Sequence, residues 1–219
     1  MNTSTVLIIL IGGAIVVFGG FFATVVLFQY FLNKSRAAAP PEQSKTEQPE
    51  LNIPKAPEPI YRAYFGFRQI VPLLAIGATC LAFTLALLPQ LSAEPAFRFS
   101  DAGEPANYAG ASLVIAGSLL VQLLFITIGW FVGTAVKSFI NRLAMPESAG
   151  RQSQKVISVA ANMIVLPQLI AAYISFDIFI YDVFSFHLLP VWIFAIMTMV
   201  IGGIFLCWRF YNIMHSKIE

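Results

Sequence analysis

The side chains best suited to chemistry gather in one stretch, Ser175-Phe-Asp177-Ile-Phe-Ile-Tyr181-Asp182-Val-Phe-Ser-Phe-His187. If the helix that enters this stretch continues through it, Asp177 and Tyr181 stand four residues apart on one face. Asp182 and His187 would then be placed to contribute to a cation site or a quinone-headgroup site. A plainer reading competes with this one. At a membrane edge carboxylates reach water cheaply, and aromatic rings form the interfacial belt whether or not they bind anything.

A second polar set surrounds Pro167, with Asn162 before it and Gln168 beside it. Proline removes an amide hydrogen and frees a carbonyl one turn back, so a kink is expected here. It marks either a hinge or pore lining, or a static kink satisfied by neighbouring groups. Gln168 and Gln122 are expected to bond between helices, an interaction worth about 0.6 to 2 kcal/mol inside a membrane.

Other constellations fail on spacing. His187 and His215 lie on either side of an apolar run, separated by roughly a membrane thickness at about 1.5 Å per helical residue, so they do not jointly ligate one haem in a single chain. Cys80 and Cys207 are isolated, with no CxxC or metal-ligand pattern around them. No GxSxG, Walker loop, HExxH or dinucleotide fingerprint occurs. No catalytic residue, metal or cofactor is expected from these patterns.

The elements that must position these groups are set by composition. Hydrophobic residues make up 58% and charged residues 11% of the chain, with a mean hydropathy of +0.78. An ordinary soluble domain is about 25% charged. A span needs about 20 mainly apolar residues, and stretches free of Asp, Glu, Lys and Arg centre on 5–32, 69–88, 109–135, 156–176 and 188–208. The first stretch lacks a basic start and is too long for a secretory signal peptide, so it is read as a retained helix.

Threading these five spans puts every Lys and Arg except Arg98 on one side, and Glu94, Asp101, Glu104, Asp177 and Asp182 on the other. Basic residues stay cytoplasmic. The chain is therefore expected to be all-α, a polytopic integral membrane protein of five transmembrane helices with its N-terminus outside and its C-terminus inside, in a cell inner membrane. Residues 1–33 form the N-terminal transmembrane helix. Residues 34–60, rich in Pro, Glu, Gln and Lys, form a disordered cytoplasmic linker. Residues 61–219 form a four-helix bundle that begins with a short interfacial segment, Tyr61–Arg68. The loops 89–108 and 141–155 are too short for a soluble domain. The net charge of +2, spread over several loops, points to lipid headgroups rather than nucleic acid.

Small residues recur at packing intervals: Gly12, Gly19 and Ala23 in the first span, Ala78, Ala82 and Ala86 in the second, Gly129 and Gly133 in the third. Such residues let helix backbones approach closely, and the alanine face is expected to pack tightly within the bundle. Gly110 and Gly117 stand seven apart near the start of the third span. The segments 68–77 and 162–171 look faintly alike, as two tandem helical hairpins would require.

The functional expectation is a non-catalytic accessory or scaffold subunit of a larger membrane complex, partnered by other membrane subunits or by further copies of itself. Two alternatives stand beside it: an oligomeric channel or small-solute transporter lined by Asn162 and Gln168, and a redox or enzyme subunit acting at Asp177, Asp182 and His187.

Overall fold

The computed structural model describes residues 62–100, 103–142 and 147–215. The first apolar run, the linker 34–60, and with them Gly12, Gly19 and Ala23, lie outside the described residues. Among the described residues there are five α-helices: α1 (Val71–Leu87), α2 (Ala111–Arg142), α3 (Glu147–Asn162), α4 (Val165–Phe184) and α5 (Val191–His215). Short 3₁₀ turns precede and follow α1. Among the described residues, four helical stretches are long and apolar enough to cross a membrane: Phe67–Gln90, Ala111–Arg142, Ser153–Phe184 and Val191–Ile213. The third of these is α3 and α4 in tandem. Such a chain fits a membrane protein.

Three sequence expectations need correction. The segment 141–155 is not a loop, because α2 continues to Arg142 and α3 begins at Glu147. Ile157, Val159, Ala160 and Ala161 are buried while Lys155 is exposed, so this helix gains stability from an amphipathic face that a search for charge-free runs cannot register. The segment 89–108 is not plain loop either. Strands β1 (Ala96–Phe99) and β2 (Pro105–Tyr108) pair antiparallel, with Ala96 opposite Tyr108 and Phe99 opposite Pro105, and irregular register between. The molecule is thus a helical bundle with one small hairpin rather than purely α.

The third correction concerns the alanine stripe. Helix α1 buries Leu73, Cys80, Thr84 and Leu87, which recur at helical spacing along one face. Ala78, Ala82 and Ala86 fall roughly opposite at about 100° per residue, and all three are exposed. Size did not decide which face turned inward, since Cys80 and Thr84 are buried while Leu74, Leu81 and Leu85 stay exposed.

The hairpin marks one end of the bundle. Arg62, Arg68, Lys137, Arg142 and Lys155 belong to segments at the opposite, basic end. The principal core lies toward the basic end, where Ala63, Phe65, Ile70, Leu73, Ile140, Ile157, Ala161 and Ile164 pack together. The segment 62–66, expected at the headgroup layer, instead inserts partly into this core. The Ala63 amide donates to Asn141 Oδ1 at 2.8 Å and the Tyr64 amide to Gln154 Oε1 at 3.1 Å. Phe65 and Phe67 flank the Trp130 ring with centroids 5.3 and 5.1 Å away. Tyr64 and Phe67 remain exposed, so only part of the segment keeps an outward, anchoring face.

Gly129 and Gly133 serve this packing. Leu73 occupies the space where a side chain at Gly129 would begin, and the Phe65 ring does the same at Gly133. The helix is interrupted near Pro167, where a kink is expected from sequence. Residues Met163 and Ile164 form a turn between α3 and α4, with the Met163 amide reaching Val159 O at 3.0 Å. Pro167 then sits in the first turn of α4, where its missing amide is tolerated.

Candidate functional site at the hairpin end

Helix α4 runs on to Phe184, which puts Asp177 and Tyr181 on consecutive turns. Ser185 ends the helix in a left-handed conformation (φ 59°), and its amide donates to Tyr181 O at 2.8 Å. That reversal folds His187 back against the helix it has just left. His187 Nδ1 stands 2.8 Å from Asp177 Oδ2, and Nε2 stands 3.2 Å from the Gly103 carbonyl. Asp177 is only 4% exposed.

The ring is held on its faces as well. Tyr181 stacks on His187 at 4.6 Å and 25°, and Phe99 meets it edge-on at 4.6 Å and 87°. Phe99 also meets Tyr181 at 4.7 Å. The hairpin thus contributes a ring from β1 and a carbonyl from its turn. At Gly103, φ is +81° and the imidazole lies 3.6 Å from where a side chain would start. A glycine meets both conditions without strain.

Both imidazole nitrogens face oxygen atoms, which limits the protonation states that satisfy them. An imidazolium beside a carboxylate donates to both oxygens. A neutral imidazole beside a protonated carboxyl fits both contacts differently, accepting at Nδ1 and donating at Nε2. Asp177 Oδ1 is buried and has no hydrogen-bond partner among the described residues.

Asp182, grouped with His187 in the sequence reading, works elsewhere. Its two oxygens accept from Ser92, the amide at 2.7 Å and the hydroxyl at 2.6 Å. It fastens the loop after α1 to the end of α4. Asn162 and Gln168 are also separate from the pair. Asn162 Nδ2 donates to Gln69 O at 3.0 Å and to Ser158 O at 2.7 Å, and Gln168 Nε2 donates to Leu73 O at 3.0 Å. The faintly similar segments 68–77 and 162–171 therefore lie side by side, tied at two levels. Gln168 is the expected interhelical tie. Gln122 is buried, and neither of its amide atoms has a hydrogen-bond partner among the described residues.

Sequence reasoning missed Phe99 and Gly103. They lie far from His187 along the chain, and the only local signal was the Ala-Phe-Arg-Phe alternation of a short strand. It also passed over a hydroxyl layer in the bundle, where Ser118 Oγ donates to Ser175 Oγ at 2.6 Å and Cys80 Sγ lies 4.0 Å from Ser118 Oγ.

No protein-family model, curated protein or solved structure matches this chain.

Proposed function

We propose that this protein is a non-catalytic accessory subunit of a membrane complex, crossing an inner membrane five times with its N-terminus outside and its C-terminus inside. The observation that carries this reading is the outward placement of Ala78, Ala82 and Ala86 on α1. Their spacing suits close approach of another helix, and their own chain leaves that face uncovered among the described residues. Helix α5 adds Trp192, Ile196, Val200 and Ile204, all exposed. The polar groups that a transporter would turn toward a path are spent on internal ties, Asn162 to Gln69 and Gln168 to Leu73. That supports an accessory role over an oligomeric channel.

Purification of the full chain from its native membrane in mild detergent, followed by mass spectrometry, tests the reading. A stoichiometric membrane partner is expected, lost when Ala82→Phe blocks the stripe while the melting profile of the isolated chain stays within a few degrees. Recovery of a homo-oligomer alone, conducting solute after reconstitution, would overturn it.

A second reading has one specific observation in its favour. The unpartnered Asp177 Oδ1 beside His187 is a place where a polar headgroup or cation could be held at the hairpin end. A bound chromophore in purified protein, lost on His187→Gln, would move the assignment to a redox subunit.

A further inference from the structure

The hairpin half of the bundle is incompletely filled. Between α2 and α4 lies a groove of about 380 Å³, with Leu113, Gly117, Val121, Ile174 and Ile178 in its walls and Phe97 of β1 at its margin. Along α2 the glycines divide by level. Gly129 and Gly133 receive Leu73 and Phe65 of their own chain, whereas nothing among the described residues lies within 4 Å of the side-chain position at Gly117. A bare stretch of helix backbone in an apolar groove is the geometry that admits a second helix at close range. The two hydroxyls in the lining are already engaged, Ser118 donating to Ser175 and Ser175 to the Ala171 carbonyl at 3.1 Å. An occupant therefore needs no polar group there.

We infer that the apolar run 5–32 of this same chain seats in the groove, parallel to α2, with Gly12 against Gly117. The parallel direction rests on the proposal above that this run crosses the membrane from the hairpin side. The run contains no Asp, Glu, Lys or Arg, as an apolar groove requires. Gly12 lies about 10 Å along a helix from Thr5, and Gly117 about 9 Å from Ala111, at 1.5 Å per residue, so the two glycines match in depth. Gly19 follows Gly12 at the seven-residue interval that keeps two positions on one helix face. Ile8, Ile9, Ile15 and Val16, one turn to either side of Gly12, supply the branched apolar volume the groove lacks. The connection is long enough: at about 3.1 Å per residue, 34–60 extends on the order of 80 Å, enough to reach any face of a bundle built from helices about 10 Å across. Helix α1 keeps its alanine stripe free for the partner.

Disulfide trapping in native membranes tests this on the full chain, with Cys207→Ser, the buried Cys80 retained, and a specific protease site placed in the linker. Gly12→Cys with Gly117→Cys, and one turn nearer the hairpin Ile8→Cys with Leu113→Cys, are oxidised and the linker is then cut. The expected result is that most of the cut chain migrates at full length until reduced, in either pair, while Gly12→Cys alone and Gly12→Cys with Ala82→Cys fall into two fragments. A product joining two copies, or one formed with Ala82→Cys, overturns the assignment. So does alkylation of Gly117→Cys by a lipid-soluble maleimide without any cross-link, which would mean that lipid fills the groove. An impermeant thiol reagent applied to Asn2→Cys separates the two layers of the argument. Labelling from the side of Lys34 overturns the topology, whereas correct labelling with no trapped pair overturns the groove assignment alone.

Discussion

At the scale of single residues, the molecule spends its few buried polar groups very unequally. The pairing of Asp177 with His187 joins the hairpin turn to the end of α4, and removing either partner strands the other. His187→Ala is expected to cost about 1 to 3 kcal/mol, at the lower end because the imidazole is 26% exposed. It should also speed tryptic cleavage at the exposed Arg98 on β1 in unsealed membranes, a local readout that a uniformly weakened bundle would not single out. Asp182 and Ser92 form a more exposed tie. Their double-mutant cycle should give a coupling of about 1 kcal/mol, with no change in tryptic cleavage at Arg98. Gln122 is the reverse case. Its amide is buried with neither atom bonded among the described residues, and such groups cost about 1 to 3 kcal/mol in mutational series. Gln122→Leu is therefore expected to raise the thermal midpoint in detergent, and a lowered midpoint would mean that the amide has a partner in the membrane.

At the scale of elements, the helices were legible where their composition was uniform and illegible where it was mixed. The run at 109–135 was recognisable from its lack of charge, but α2 continues to Arg142 because helical backbone bonding does not stop where apolar residues do. The first half of α3 was read as loop, and the helix was not separated from the span after it, because its burial depends on which face meets α2 and α5, a tertiary fact. The glycines of α2 give a graded prediction. Gly133→Ala would push against the Phe65 ring and is expected to cost about 1 to 3 kcal/mol by overpacking. Gly203→Ala on α5 meets open space and should be neutral or stabilising by up to about 1 kcal/mol through helix propensity. Unfolding of the two variants in the same detergent gives the comparison. A penalty at Gly203 equal to that at Gly133 would show that α5 packs on something beyond its own chain.

At the scale of the whole molecule, the basic residues cluster at one end and the hairpin with Arg98 stands at the other. If the proposed orientation holds, an impermeant thiol reagent added to intact cells carrying Cys207→Ser labels Asn107→Cys on β2 at once and Arg142→Cys only after lysis, and the opposite pattern would invert the molecule. The sequence alone determined that most of this chain is built for lipid, because the free energy of crossing a membrane depends on composition over about 20 residues and hardly on context. It also marked the neighbourhood of Pro167 as a disturbed stretch of helix, since a missing amide is a local fact, while the turn itself falls at Met163 and Ile164. Only the tertiary structure decided which small residues meet another helix: Gly129 and Gly133 are plugged by Leu73 and Phe65, while the alanines of α1 face outward. Only the tertiary structure decided that His187 chooses Asp177 and leaves Asp182 to Ser92. Those outcomes depend on the angle at which α4 ends and on a hairpin distant along the chain, and neither spacing nor composition encodes the distance between groups that meet only when the bundle closes.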